Sequence, residues 1–365
     1  MKRKSFSLMG FSFLVILQFL FLLNCQRNKP DKKLVQLWNS FTAAAEQRDE
    51  AKAKECLAKE SQTYFQINPW RDYSKVKQTI IKVEKYGDYA KLHILNEENG
   101  KQTALFRYVV YENGKSLLQY PFLIFAKDWP TDTTEHFIIH YNLSPQYREG
   151  IFDSMLVGSD TLKVKIDEIE KFYSSIANLL GVTYPGKINY YLCLNFREVG
   201  ELAGRKPYPR ALLGKAIITS DKEELVEIAF LLGIQVEKPF YQLYSGLDLY
   251  ASAEKTHQLT GEDPSELLYS RILPLYYKNK TSLIPEEFKM GYEELHSEAS
   301  AREFMAATGL VVYYLATEFD KAKFRSLYHE SHDYPSFEKA LAKYYGLDIN
   351  TLEQRIKQKM KKDMS

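Results

Sequence analysis

The first 25 residues of this 365-residue chain constrain its organisation more than any other segment. Residues 2–4 are all basic, and an almost uninterrupted apolar run follows from Phe11 to Leu23. A helix that spans a bilayer needs about 20 apolar residues, so this run is short for a membrane span. A basic start followed by a short apolar run is typical of a signal peptide. We therefore expect the segment to direct export.

The apolar run ends at a cysteine, in the sequence Leu22-Leu23-Asn24-Cys25. This sequence resembles a lipobox, in which a dedicated peptidase cuts before a cysteine that carries diacylglycerol. The resemblance implies that residues 1–24 are the signal peptide and that Cys25 is lipidated. Residues 25–30 then form the anchor and tether of an extracytoplasmic protein on a bacterial membrane, in the cell envelope. The alternative is an uncleaved signal anchor with an incidental cysteine.

The composition fits a globular protein of two domains. Hydrophobic residues make up 45% of the chain and aromatic residues 14%, which favours packed structure rich in strands. Without residues 2–4, 46 basic residues face 47 acidic ones. The rest of the chain has no dense basic run interleaved with aromatic residues, so we expect no nucleic-acid partner.

Residues 31–128 are predicted to form an α+β domain. Apolar residues at helical spacing predict a helix over residues 32–47, and a second helix is expected over residues 50–59. Alternating patterns then predict strands over 76–85, 89–95, 105–111 and 116–125. Asn99-Gly100 and Asn113-Gly114 are strong hairpin signals, because type I′ turns need positive φ at both central residues. Helices followed by an antiparallel meander are therefore expected.

The sequence "GDYA" at 87–90, followed by "FRYVVYENGKSLLQYPF", resembles the NTF2-like superfamily. In that superfamily a curved sheet wraps around N-terminal helices, and the resulting cone holds a ligand, a catalytic acid or nothing. The polar residues of this stretch offer no obvious acid/base pair, and His93 is interpreted as a strand surface residue. We expect a structural or protein-interaction role for the domain.

Residues 129–365 are predicted to form a second domain. Strands are expected over 135–142, 187–194 and 211–219, a helix over 162–180, and a looser segment over 200–210. A further helix is expected over 220–233, followed by the start of another. His136 and His140 lie roughly 13 Å apart along one strand face, too far to share a metal.

The order of these elements resembles the peptidase-MA-like family of gluzincins, through "FIIHYNLSP", the helix beginning "SDKEELVEIAFLLG" and "YSGLDLYAS". The stretches "AREFMAATGLVVYYLATEFDKAKFRSLY" and "FEKALAKYYGLDINTLEQRI" resemble that family's closing helices. The resemblance covers some 230 residues. It implies a mixed α/β part followed by an all-helical part, the zincin arrangement.

The metal ligands of a working gluzincin are replaced in this chain. In that family two histidines at i and i+4 on one helix bind zinc, the Glu between them polarises water, and a Glu on the next helix completes the site. By resemblance the first His corresponds to Glu223, the general base to Glu224, the second His to Glu227 and the third ligand to Ser245. We therefore expect no bound zinc, no cofactor and no catalytic activity.

Two other interpretations of these carboxylates stay open. Together with Asp248, they could take a hard ion such as Ca²⁺ or Mn²⁺. Alternatively, Ser220 and Glu223 form a capping box, while Glu224 and Glu227 are ordinary polar residues on an exposed face. We favour the structural interpretation. The sequence His329-Glu330-Ser331-His332 is one residue too short for a zinc motif.

The hypothesis we favour is a pseudopeptidase that binds an extended peptide or protein segment at the edge strand 211–219 without cutting it. Arg205, Tyr208, Arg210 and Asp248 could line the cleft, although Arg and Tyr on a loop are often simply solvated. The alternatives are an atypical metallohydrolase or peptidase with carboxylate ligands, and a purely structural or adhesive envelope protein.

Overall fold

The computed structural model describes residues 31–67, 73–98, 100–142, 159–205, 210–213, 215–220, 226–260, 269, 284–289 and 298–363. The chain divides into two compact units. The first unit contains the described residues of three ranges: the chain up to Thr63, Asp72–Ile124 and Gly204–Lys206. The second contains Tyr64–Arg71, Phe125–Ala203 and Pro207–Ser365.

The first part of the chain combines short helices with a four-stranded antiparallel sheet. The sheet is a meander in the order β1-β2-β3-β4. Its α+β class, with helices before an antiparallel sheet, is as predicted. The elements are α1 (Lys32–Glu46), α2 (Glu50–Glu55), α3 (Lys59–Tyr64), a 3₁₀ turn (Tyr73–Lys75), β1 (Val76–Tyr86), β2 (Tyr89–Glu98), β3 (Lys101–Glu112), β4 (Lys115–Gln119) and α4 (Pro121–Phe125).

The start of α1 is fixed by a side-chain cap. Asp31 Oδ1 accepts a hydrogen bond from the Lys33 amide at 3.0 Å, which satisfies one of the free N–H groups of the first turn. Leu34 and Trp38, one turn apart, are both buried. The sequence predicted this helix to within one residue at its C-terminal end.

The second predicted helix, over residues 50–59, is wrong as one continuous element. The chain leaves the helical conformation after Glu55 because its backbone pairs with β4 instead. The Leu118 amide donates to the Cys56 carbonyl at 2.8 Å, and the Ala58 amide donates to the Leu118 carbonyl at 2.9 Å. A new helix, α3, then begins at Lys59.

The hairpin between β3 and β4 has the predicted turn. Asn113 and Gly114 have φ values of 51° and 76°, the positive pair that a type I′ turn requires. The strand predicted over residues 116–125 is wrong beyond Gln119, because α4 begins at Pro121. Proline lacks the amide hydrogen that a strand ladder needs, whereas the first turn of a helix leaves that position free.

The second part of the chain is built on a mixed five-stranded sheet in the order β5-β6-β7-β9-β8. The inner strands β6, β7 and β9 run parallel, and the outer strands β5 and β8 are antiparallel to their neighbours. The strands are β5 (Thr131–Thr133), β6 (Phe137–Tyr141), β7 (Ile188–Leu192), β8 (Arg210–Leu213) and β9 (Ala216–Thr219). Helix α5 (Ser159–Leu180) connects β6 to β7, and α6 (Phe196–Ala203) follows β7.

Two sequence predictions in this region are wrong. Residues 200–210 were expected to be irregular, but α6 extends to Ala203. The Glu198 amide donates to Asn195 Oδ1 at 3.0 Å, and Glu198 Oε2 accepts from the Leu194 amide at 2.6 Å. This reciprocal capping starts the helix, and Val199 is buried on its inner face.

The single strand predicted over 211–219 is a hairpin of two strands, β8 and β9. All four residues of β9 are buried in the interior of the sheet. In the strand order, β8 alone occupies the end position on this side. The predicted edge strand is therefore restricted to Arg210–Leu213.

The C-terminal region is helical, as predicted, and none of the described helices is both long and apolar enough to cross a bilayer. One apolar core joins the sheet to these helices; its members include Phe137, Ile188, Leu232, Leu310 and Leu352. The helices are α7 (Val226–Gly233), α8 (Tyr241–Thr260), α9 (Ile284–Lys289), α10 (Glu298–Thr317), α11 (Lys321–Glu330), α12 (Tyr334–Tyr345) and α13 (Ile349–Asp363).

Helices α8 and α10 approach each other closely through glycine. A Cβ atom on Gly246 would lie 2.5 Å from the Thr308 carbonyl oxygen and 2.6 Å from Val312 Cγ2. On α10, a Cβ atom on Gly309 would collide with the Leu249 side chain. The spacing of these two helices therefore depends on residues without a side chain.

We expect Gly246→Ala to lower the free energy of unfolding by about 1–3 kcal/mol, the usual cost of overpacking. At an exposed position inside a helix, Gly→Ala raises the free energy of unfolding by about 1 kcal/mol, so a decrease at Gly246 indicates a close helix contact. Chemical denaturation measures this free energy. The exposed control Gln354→Ala on α13 should stay within about 0.5 kcal/mol of wild type. A Gly246→Ala protein as stable as wild type would contradict the close approach.

Candidate functional site

The helix predicted to carry the degenerate metal motif is described from Val226 onward. Glu223 and Glu224 therefore lie outside the described residues, as does the predicted capping box. Glu227 is only 8% exposed, on a helix in which seven of eight residues are buried. The interpretation of Glu227 as part of an exposed polar face is wrong, because α7 packs between α5 and α8.

The charge of Glu227 acts on Tyr244 of α8. Burial raises the pKa of the Tyr244 hydroxyl well above its usual value, and the nearby Glu227 carboxylate raises it further. The tyrosine therefore stays neutral over the physiological range.

The predicted third-ligand position is a buried hydroxyl. Ser245 is 5% exposed, and its Oγ lies 4.0 Å from the Met305 thioether sulfur on α10. A thioether is a poor partner for a hard cation or for a carboxylate. Gly246, which sets the spacing of α8 and α10, is the next residue. The side chain at position 245 therefore takes part in the packing of α8 against α10.

Asp248 follows Ser245 by three residues on α8 and is half-buried. No group of three or more His, Cys, Asp or Glu side chains lies close enough to hold a metal within the part of the chain that the structure describes. Because Glu223 and Glu224 fall outside that part, the absence of metal from the degenerate motif stays a prediction.

Aromatic rings pack around the helices that carry this motif. Phe230 of α7 contacts Tyr244 of α8 with ring centroids 5.0 Å apart. One turn earlier on α8, Tyr241 stacks on Phe304 of α10 at 5.6 Å with an interplanar angle of 16°. These contacts fill space between α7, α8 and α10.

The residues expected to line a peptide cleft are divided between the two units. The backbone of Arg205 forms an antiparallel bridge with Leu105 of β3 and belongs to the first unit. Arg210 is the first residue of β8, in the second unit. Tyr208 lies outside the described residues.

The two histidines near β6 have separate partners. His136 Nδ1 lies 2.7 Å from Glu170 Oε2 on α5, and its ring stacks on Tyr173 at 4.0 Å. His140 Nε2 lies 2.9 Å from Asn189 Oδ1 on β7. Burial lowers the pKa of His140, partly offset by that hydrogen bond. Each ring has a structural partner of its own, which fits a polar strand face.

The His329–His332 sequence is also explained by packing. His329 Nε2 lies 2.8 Å from the Leu180 carbonyl, and His332 Nδ1 lies 3.0 Å from the Lys238 carbonyl. The two rings thus contact different segments of the chain. His257 is exposed, and His296 lies outside the described residues.

The sequence interpretation missed an acid/base pair in the first sheet. His93 Nε2 of β2 lies 3.0 Å from Glu84 Oε2 of β1. The Tyr86 hydroxyl donates to the same oxygen at 2.9 Å, and Lys82 Nζ donates to Oε1 at 2.5 Å. The sequence alone indicates no partner for His93, and this contact supplies one. Glu84 and His93 are nine positions apart in the sequence and meet only because β1 pairs with β2. The local spacing of residues does not predict this contact.

Three neighbouring groups favour the ionised form of the Glu84 carboxylate. The ammonium of Lys82 contributes most, followed by the His93 ring and the Tyr86 hydroxyl, and together they lower the pKa of Glu84 to about 2. Hydrogen bonds donated to an ionised carboxylate shift its protonation equilibrium toward the ionised form. The network is thus a fixed negative centre surrounded by donors.

Comparison with models of known protein families, with curated proteins and with solved structures finds no match to this chain.

We expect the Glu84 network to give a small stability contribution with a defined pH window. Its folded pKa lies below the ordinary value of 4.5, so the contribution is present above about pH 4.5 and is lost as the pH falls toward 2. Glu84→Gln should lower the free energy of unfolding at pH 7 by less than about 1 kcal/mol, because solvent screens the partly exposed pair. Urea denaturation of both proteins from pH 7 to pH 3 should show this difference narrowing. If the difference in the free energy of unfolding stays constant over this pH range, the lowered pKa of Glu84 is wrong.

Proposed function

We propose that this chain is a bacterial envelope lipoprotein, anchored by an acylated Cys25, whose second unit is a metallopeptidase-like scaffold without catalytic activity. In this proposal the scaffold binds an extended peptide or protein segment and does not cleave it. The observation that carries the proposal is the state of Ser245. The resemblance assigns this position to a carboxylate ligand, whereas in this chain it is a buried hydroxyl against a thioether.

Zinc hydrolases need neutral imidazoles around the metal, because the net positive charge acidifies the bound water. By resemblance, carboxylates replace both imidazoles at Glu223 and Glu227. Even if a metal were bound there, the added negative charge would weaken the acidification of its water. The chemistry of the residue types therefore argues against hydrolysis, whatever the occupancy of the site.

The peptide-binding part of the proposal is supported by β8. In a hairpin closed by two residues, the flanking pair Leu213–Ala216 exchanges both of its backbone hydrogen bonds. Because pairs alternate along an antiparallel ladder, Leu212 directs its N–H and C=O away from β9. Among the described strands β8 ends the sheet on that side, so these groups suit an added strand.

We expect Leu212→Pro to remove peptide binding while leaving the hairpin in place. Proline removes the outward N–H and is tolerated on an edge strand where that group does not serve the ladder. The measurement is selection of a phage-displayed peptide library on the full-length protein, followed by affinities of the enriched peptides. Mass spectrometry of those peptides after incubation should find them intact.

The matched control is Leu212→Ala, which shortens the partly buried side chain and keeps the N–H. It should bind the selected peptides within about twofold of wild type. If no peptide is enriched, or if Leu212→Pro binds as well as Leu212→Ala, the edge-strand proposal is wrong. Cleavage of the peptides would refute the loss of catalysis.

The anchor is tested separately. We expect Cys25→Ala to abolish incorporation of a radiolabelled fatty acid and to release the protein from the membrane fraction. The reason is that the cysteine thiol is the only attachment point in the proposed lipobox. If the Cys25→Ala protein still incorporates the fatty acid, the acyl chain is attached at another residue. If the wild-type protein incorporates none, the proposed lipid anchor is wrong.

A purely structural or adhesive role is the second candidate, and one observation favours it. The aromatic pairs Phe230–Tyr244 and Tyr241–Phe304 occupy space beside the motif helix. A cleft filled in this way would leave no room for a substrate side chain. Failure of the peptide selection, with the anchor intact, would point to this role.

A further inference from the structure

One face of the first sheet carries three parallel rows of ring-bearing and charged side chains. Direct cross-strand partners share a face of a sheet, and the register of β1, β2 and β3 therefore defines the rows. The rows are Tyr86–Tyr89–Val110, Glu84–Lys91–Tyr108 and Lys82–His93–Phe106. We call this surface the ring face.

The ring face differs from the other face of the same sheet. On β2, Ala90, Leu92 and Ile94 are fully buried, whereas the alternating residues of the ring face are partly exposed. The ring face is thus the more exposed face of this antiparallel sheet, and its charged side chains suit contact with solvent.

A β-bulge shapes the edge of this surface. The pairing of β1 with β2 shifts between Ile80 and Lys82, so Ile81 is an extra residue in β1. The bulge brings Lys82 opposite His93 and leaves the Ile81 side chain 54% exposed. Bulges are frequent beside functional sites, where they redirect side chains.

The polar groups of the ring face present both donors and acceptors. His93 Nε2 lies 3.0 Å from Glu84 Oε2 but is buried, and its geometry is not that of a hydrogen bond. The His93 side chain is 21% exposed, and no described residue hydrogen-bonds its other ring nitrogen, Nδ1, so Nδ1 is the nitrogen that we assign to a ligand. The Lys91 ammonium lies 4.3 Å from the centre of the Phe106 ring and keeps N–H donors beyond that contact.

Three tyrosine rings of this face are in contact, although Tyr108 is only 4% exposed. Tyr86 and Tyr89 stack with centroids 5.2 Å apart, and Tyr89 contacts Tyr108 at 5.9 Å. Tyr86 is nevertheless 46% exposed. An exposed, oriented ring beside a hydrogen-bonding network offers a flat apolar surface with polar groups at its margin.

The mixture of groups favours a ligand that is polar, uncharged and apolar on one side. An apolar ligand would bury the Glu84 and Lys82 charges without replacing their contacts with water, and the face carries charges of both signs. A sugar ring has an apolar C–H face that stacks on an aromatic ring and hydroxyl groups that both donate and accept. We propose that the ring face binds a neutral oligosaccharide, with Tyr86 as the stacking platform and Glu84, His93 and Lys91 as partners of its hydroxyl groups.

The dimensions fit a short oligosaccharide. Three neighbouring strands and five residues along each strand cover roughly 10 by 13 Å. That area accommodates two linked sugar rings, one on the tyrosine pair and one over the His93 row. The inference concerns the first unit and is independent of the proposed function of the second.

The test is binding of defined tetrasaccharides to the full-length protein in a sugar-free detergent, followed by saturation-transfer NMR. The probes are the β-linked N-acetylglucosamine, β-linked glucose and α-linked glucose tetramers, with a galacturonic acid tetramer as the charged comparison. We expect a neutral tetramer to bind and Tyr86→Ala to weaken it by roughly tenfold or more. Tyr86→Phe, which keeps the ring, should retain most of the affinity.

The matched control is Tyr111→Ala. Tyr111 is also 46% exposed, but its register on β3 places it on the opposite face of the sheet. This variant should bind within about twofold of wild type. Binding of no neutral tetramer, binding of the acidic one alone, or equal loss in Tyr86→Ala and Tyr111→Ala would overturn the proposal. Circular dichroism verifies that each variant is folded.

Discussion

The close approach of α8 and α10 governs the helical half of this protein. Gly246 allows the α8 backbone to lie against the Thr308 carbonyl, and Gly309 makes room for Leu249 in return. Because these contacts fix both helices, the neighbouring side chain of Ser245 is directed at Met305. The position that the resemblance assigns to a metal ligand is therefore part of the helix packing, and the proposed loss of zinc chemistry rests on this arrangement.

The same packing buries a carboxylate on an otherwise apolar helix. Glu227 is buried beside Tyr244, and Tyr244 in turn contacts Phe230. A buried charge is costly without partners, so such a residue is kept where it serves a specific arrangement. In the first sheet the logic is different. Glu84 stays partly exposed, and three neighbouring groups lower the pKa of its carboxyl.

Features with local causes could be predicted from the sequence. The positive φ of Asn113 and Gly114 follows from residue type alone, and α1 follows from its apolar spacing. Features that depend on distant partners could not. The interruption after Glu55 arises from backbone pairing with β4, and the Glu84–His93 contact arises from the register of two strands and a bulge. The helix at residues 196–203 begins at a local cap that the sequence does contain. The glycine and proline residues that follow it led to the prediction of an irregular segment instead. The burial of Glu227 required the helix packing itself.

The most direct test of the central claim is the metal content of the purified full-length protein, beside a variant that restores the ligands, Glu223→His with Glu227→His and Ser245→Glu. We predict a wild-type protein without stoichiometric metal and a variant that takes up one zinc ion per chain, because the resemblance assigns these three positions to the zinc ligands. A wild-type protein that holds one metal ion, and loses it on Glu227→Ala, would contradict the account. A variant that takes up no zinc would contradict the peptidase-like scaffold itself.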